Sequence, residues 1–233
     1  MAKHLDLEEQ EQLAELKHFW NRYGNLITWV LIAVFGSIAA WNGWQYWQRT
    51  QSVQASAIYD EVERAAQAGD TARVERAFSD IKDKFGATAY AQQAGMVAAR
   101  VFIDKGNTEG ARAALAWVAD KASDEGYQAV ARLRLAGVLV EAKSYDEALK
   151  QLAAGFPKEF EPLAADRRGD IYMLQGKKAE AKAEYTKAWQ AFDERAEYRR
   201  LVEVKLNALG ADPKPLAPAP APAAGAASGA AKP

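Results

Sequence analysis

Arg168-Gly169-Asp170-Ile171-Tyr172, followed by Gly176, Ala181, Tyr185 and Ala188, is the stretch on which the fold turns. It places a small residue three positions before a tyrosine, then a turn glycine, then an alanine four positions before an aromatic. That rhythm describes two short helices joined by a tight turn, the small residue letting the pair approach closely. It recurs along the chain. The turn positions Gly69, Gly106, Lys143 and Gly176 are 37, 37 and 33 residues apart. Five residues after each comes Val74, Ala111, Ala148 or Ala181, and four residues later Phe78, Leu115, Leu152 or Tyr185. Ahead of three turns, Phe102, Leu139 and Tyr172 hold equivalent places, beside the small residues Ala99, Ala136 and Gly169.

A helix-turn-helix unit near 34 residues with this spacing is the tetratricopeptide pattern. One such hairpin cannot bury its apolar stripe, so units must stack into a solenoid. The spacing predicts four hairpins from Gln51 to about Phe192, followed by a capping helix to Leu209. Alanine, leucine, glutamate, lysine and arginine, all good helix formers, dominate this region. No stretch alternates apolar and polar residues as a half-buried strand would. The repeat domain is assigned to residues 49–210 and the whole chain to the all-α class. Residues such as Ala111, Leu115, Ala148, Tyr172 and Tyr185 read as packing residues, and the groove on the first helices is not identifiable from spacing.

On the C-terminal side, residues 211–233 hold six of the eight prolines, in runs such as Ala217-Pro218-Ala219-Pro220-Ala221-Pro222. An extended, disordered Ala/Pro-rich tail is expected there.

On the N-terminal side, Tyr23 to Gln48 is a run of 26 residues without a charge, in a chain that is 26% charged. About 20 apolar residues cross a bilayer as a helix. Trp20, Trp29, Trp41, Trp44 and Trp47, five of the seven tryptophans, sit in or near it. Amphipathic rings favour the headgroup level at both ends of a span. A single transmembrane helix is expected over residues 25–48, preceded by a short amphipathic segment, residues 1–24. In that segment Leu13, Leu16, Trp20 and Tyr23 share a face, and Gly24-Asn25 punctuates before the span. A cleaved signal peptide is the competing reading, since Ser37-Ile38-Ala39 has a peptidase-like form, but the long acidic leader argues against it. Gly36, Ala40 and Gly43 fall on one face of the span, where small residues let another membrane helix approach. They are the candidate contact face.

Charge and chemistry narrow the function. There are 30 basic and 31 acidic residues, interspersed, so no basic face invites nucleic acid. Cysteine is absent, and the two histidines, His4 and His18, precede the span. The repeat region therefore cannot build a Ser-His-Asp or Cys-His nucleophile, or a His/Cys zinc site, from its own residues. No catalytic motif appears, so no enzyme, cofactor or small-molecule substrate is expected. Helical repeats instead offer a concave surface for proteins. Lys17 and Arg22 before the span, against Arg49 alone after it, place the N-terminus in the cytoplasm by the positive-inside rule.

The combination of an aromatic-flanked span, an acidic leader and this repeat array resembles the YfgM family of bacterial inner-membrane proteins. The matching stretches are Leu16-Lys17-His18-Phe19-Trp20, Gly43-Trp44-Gln45-Tyr46-Trp47, Phe102-Ile103-Asp104-Lys105, Leu133-Arg134-Leu135-Ala136 and Ala165-Asp166-Arg167-Arg168-Gly169-Asp170. The resemblance implies a periplasmic repeat domain acting beside the SecYEG translocon and a PpiD-like chaperone, handling exported client chains. It departs from the family in its Ala/Pro tail. A tetratricopeptide scaffold for another envelope complex, in division or secretion, is the alternative.

Overall fold

The computed structural model describes residues 7–211, which hold helices and turns and no strand. The first helix, α1, runs unbroken over Leu7–Gln67. The chain divides into two compact units, residues 1–56 and 57–233, so α1 belongs to the first unit up to Ser56 and to the second from Ala57.

In the first unit, α1 is long and apolar enough to cross a membrane. Its large apolar side chains are exposed, from 41% at Tyr23 to 75% at Tyr46. Leaving so much hydrocarbon in water would cost roughly 25 cal/mol per Å², a cost that a lipid surrounding would remove. The hydroxyls within it are satisfied locally. Thr28 Oγ1 donates to the Gly24 carbonyl at 2.8 Å, and Ser37 Oγ to that of Ala33 at 2.7 Å. Self-satisfaction of this kind is what an apolar solvent demands. Gly24 and Asn25 do not interrupt the helix. An internal glycine costs only about 1 kcal/mol relative to alanine, and the Trp20 indole lies over Gly24.

In the second unit, the end of α1 is followed by α2 (Thr71–Phe85), α3 (Ala89–Asp104), α4 (Thr108–Lys121), α5 (Glu125–Glu141), α6 (Tyr145–Ala153), α7 (Glu161–Leu174), α8 (Lys178–Ala191) and α9 (Glu197–Ala208). From α2 onward each helix packs on the next, and α5 also meets α7 directly. The pairs α3/α4, α5/α6 and α7/α8 are hairpins, α2 forms one with the end of α1 through the Glu61–Arg73 ion pair, and α9 caps the stack. The first turn of several helices is held by side-chain caps. Asp70, Asn107 and Asp124 accept from the N–H groups of Arg73, Gly110 and Tyr127 at 2.9–3.0 Å. Such caps contribute about 1 kcal/mol each.

The four turn positions read from the spacing share one backbone conformation. Gly69, Gly106 and Gly176 have φ of 67°, 73° and 74°, and Lys143 has 59°. Each closes its helix with the paired bonds of a Schellman motif. In the last hairpin, Lys177 N–H reaches the Tyr172 carbonyl at 2.8 Å and Gly176 N–H that of Met173 at 3.0 Å. The same turn occurs a fifth time, at Gly210 (φ 68°), where Ala211 N–H bonds the Leu206 carbonyl at 3.0 Å. The capping helix thus ends as the first helix of a hairpin does. Ala211, the first residue of the expected tail, is buried in this turn. The rest of the tail, 212–233, lies outside the described residues, as do residues 1–6.

The repeat residues make the core. Val74, Ala111, Leu115, Ala148, Leu152 and Ala181 are fully buried, and Phe102, Leu139 and Tyr185 nearly so. Burying a leucine side chain contributes about 1.5–3 kcal/mol. Gly169 lets α7 and α8 touch: a Cβ there would come within 3.0 Å of several ring atoms of Tyr185. Gly95 does the same for α3, against Val118 and Phe78. Tyr172 is only half-buried, packed at the edge of the α7–α9 core.

Candidate interaction groove

Two regions of the repeat domain concentrate chemistry. The first lies where α9 meets α7 and α8. Asp166 is fully buried on α7, and its carboxylate accepts from Lys205 Nζ at 2.8 and 2.9 Å and from the Tyr198 hydroxyl at 2.9 Å. Lys205 also donates to Asp170 Oδ1 at 2.7 Å, as does the Tyr185 hydroxyl. Burial, then the bond to Asp166, pushes the Tyr198 phenol up to about 12. Burial and the bond to Asp170 push Tyr185 higher still. Beside this cluster Arg168 Nε meets Glu184 at 2.7 Å, and its terminal nitrogens reach Glu161 at 2.8 Å and the Leu152 carbonyl at 2.7 Å. Burial opposes the Glu184 charge, but bonds from Lys187 and Arg168 outweigh it and hold the carboxyl below its ordinary range. Perturbed groups can mark active sites, yet structural ion networks perturb them too. Here the carboxylates are engaged by neighbouring helices. The cluster docks α9 onto the last hairpin.

The second region is open. Between α3, α5 and the start of α7 lies a cavity of about 320 Å³, lined by Met96, Tyr127, Val130, Arg134 and Phe160 with Asp124 and Gly126 at its rim. Between α5 and α7 lies one of about 300 Å³, lined by Val130, Leu133, Arg134, Gly137, Leu163 and Arg167. Val130 and Arg134 belong to both, so the two form one groove across the first helices.

The repeat explains which residues face it. Tyr127 and Phe160 each stand sixteen residues before their turn, Val130 and Leu163 thirteen, and Arg134 and Arg167 nine. Packing residues hold other places in the same register: Ala94, Ala131 and Ala164, twelve before the turn, are fully buried. Leu201 and Val204 on α9 hold the nine- and six-residue places, 46% and 63% exposed. Sequence reasoning left the groove unassigned. Counting back from the turns and setting aside the buried registers would have found it.

The hexapeptide Ala165-Asp166-Arg167-Arg168-Gly169-Asp170 shows how one helix serves both regions. Asp166 and Asp170 hold Lys205, Arg168 ties α7 to Glu184, and Gly169 admits Tyr185. Arg167 alone of the six lines the groove. The sequence-nominated face of α1 is separate. Gly36, Ala40 and Gly43 lie exposed along that helix, and a Cβ on either glycine would meet nothing within 4 Å.

Comparison with known proteins agrees with this architecture. The family model for a tetratricopeptide repeat-like domain matches residues 17–211. The chain is 30% identical over 210 residues to the ancillary SecYEG translocon subunit of Neisseria gonorrhoeae, covering 90% of this chain and 100% of that protein. It is 29% identical to the subunit of the same name from Haemophilus influenzae, over 87% of this chain and 98% of that one. The Escherichia coli subunit is likewise 29% identical, over 86% of this chain and 96% of its own length. The match thus runs through both the apolar helix and the repeats, and the chain belongs to the YfgM family of tetratricopeptide repeat-like proteins.

Proposed function

We propose that this protein is an ancillary, protein-binding subunit of the SecYEG translocon in the bacterial inner membrane, with no catalytic activity of its own. The observation that carries the reading is the end-to-end match to a relative named as such a subunit, 30% identical over all of that protein's length. The long apolar helix supplies a single span, and the repeat domain supplies a surface for other chains. The bias of Lys17 and Arg22 over Arg49 supports a cytoplasmic N-terminus and a periplasmic repeat domain. There it would work beside a PpiD-like chaperone and hold exported client chains. The mechanism is proximity: a tether raises the local concentration of the domain near emerging segments, so weak contacts suffice. Gly36, Ala40 and Gly43 are the proposed face for a partner helix, because small residues permit close backbone approach.

The test is co-purification of the full chain in mild detergent, with photo-crosslinkers placed at positions 36 and 43. Recovery of SecY and a PpiD-like protein, lost on deleting residues 1–48, is the expected result. Crosslinks only to a division or secretion assembly would replace this reading with a scaffold in another envelope complex. Protease digestion of the repeat domain from outside intact spheroplasts is expected, and protection there would reverse the topology.

A further inference from the structure

The groove that spans α3, α5 and α7 has a definite size and a lopsided charge. Packed helix axes stand about 10 Å apart, so crossing three of them takes roughly 20 Å, the length of about six residues of extended chain. The cavities of about 320 and 300 Å³ follow one another along that path and share Val130 and Arg134, so successive side chains of one extended segment can enter both.

The cavity between α5 and α7 is lined by two guanidinium groups and by no acidic residue. Arg134 is exposed and makes no ion pair among the described residues. Arg167 meets only Asp170, at 3.7 Å, and Asp170 already accepts from Lys205 and Tyr185 on its other oxygen. The adjoining cavity also holds one carboxylate, that of Asp124, which accepts the Tyr127 N–H at the start of α5. Tyr127, Val130, Leu133, Phe160 and Leu163 are half-buried, and Met96 is buried at the floor of the α3 side. Two like charges at one cavity favour an incoming anion, and a guanidinium fork fits a carboxylate in particular.

We infer that this groove binds an extended segment of another polypeptide in which an acidic side chain lies between apolar ones. The carboxylate sits between Arg134 and Arg167, and the flanking apolar groups lie against Tyr127, Val130 and Leu163. This rests on the reading of the chain as a protein-binding subunit and adds the chemistry of what it binds. The acidic residue sets selectivity, and the apolar contacts, made at the sixteen- and thirteen-residue places of α5 and the thirteen-residue place of α7, set affinity.

The experiment uses the full chain in detergent micelles and three fluorescein-labelled octapeptides: Gly-Ser-Phe-Glu-Val-Phe-Ser-Gly and its versions with Gln or Lys for Glu. Anisotropy is expected to show the Glu peptide binding at least about tenfold tighter than the Gln peptide, with the Lys peptide weakest. In the double variant Arg134→Gln/Arg167→Gln the Glu and Gln peptides should bind alike, with Gln-peptide affinity retained. Val130→Asp, which removes an apolar contact and puts an acid at the shared position, should weaken all three peptides and abolish the preference for Glu over Gln, and serves if the double variant melts early. Equal binding of Glu and Gln peptides to the unaltered chain overturns the inference. So does a Glu preference that survives both variants, or no binding of any peptide. SecY co-purification is scored on the same preparations. A chain that holds SecY without preferring Glu refutes the groove assignment alone, whereas loss of SecY refutes the parent reading.

Discussion

Helix α7 carries charges on two sides, and the two sides differ in one respect. At the α9 junction, the buried Asp166 and the half-buried Lys205 answer each other across 2.8 Å, with Tyr198 completing the set. In the groove, Arg134 and Arg167 are exposed; Arg134 makes no ion pair among the described residues, and Arg167 only a loose one. The residue types are alike, but their partners are not. A charge whose partner is already in the chain holds the fold together. A charge facing an apolar cavity with no such partner is available to another molecule.

The widest separation between the two sides should appear on truncation. Asp166→Ala leaves Lys205, part-exposed, with Asp170 as its remaining partner and takes away the acceptor of the Tyr198 hydroxyl. Losing charge-assisted bonds of this kind costs about 2–3 kcal/mol, below the cost of stranding a fully buried charge. Urea denaturation should register that loss, whereas Arg134→Ala should stay within about 0.5 kcal/mol of the parent, as surface changes do. Equal losses at both positions would erase the distinction. Packing comes next. Gly169→Ala would press a methyl group into the Tyr185 ring, and overpacking of this kind costs about 1–3 kcal/mol. Its signature is a lower melting temperature without weakened peptide binding, because position 169 lies away from the groove.

A smaller effect of opposite sign belongs to the turns. Lys143 holds the left-handed conformation that glycine holds at the other turn positions. Relieving it by Lys143→Gly should stabilise the domain by about 1 kcal/mol. Chemical denaturation that shows a loss would mean the lysine side chain contributes more than its backbone costs. The slightest effect is acid sensitivity at Glu184. Its folded carboxyl titrates below the ordinary 4.5, so its stabilisation is complete above that value and fades as pH falls through the folded one. Glu184→Gln should therefore flatten the loss of stability below pH 4.5, and an unchanged acid profile would remove this pair from the account.

How much of this was legible beforehand follows from which residues the fold constrains tightly. Turn spacing fixed the hairpins, because the tight turn demands a left-handed residue and the paired helices demand a small one. Even Lys143, without a glycine's conformational freedom, was found by its place in the count. Gly210 was not read as a fifth turn, although it follows Gly176 by 34 residues. The proline-rich stretch after it draws attention away from that spacing. Gly24-Asn25 was read as punctuation, and the helix runs through it, since hydrogen bonds on both sides outweigh one poor helix former. The groove is not visible locally, because nothing around Arg134 or Arg167 distinguishes either from any solvated arginine; only their shared place nine residues before a turn marks them.

The amino-acid sequence by itself determined the helical class, the repeat period, the turn positions and the uncharged stretch suited to lipid. These follow from periodicity and from backbone and solvation preferences that each residue carries alone. Only the tertiary structure decided which charges would be consumed in docking α9 and which would line an open furrow. Partnership between side chains 35 or more residues apart, such as Asp170 and Lys205, depends on how helices stack, and stacking is a property of the assembled solenoid.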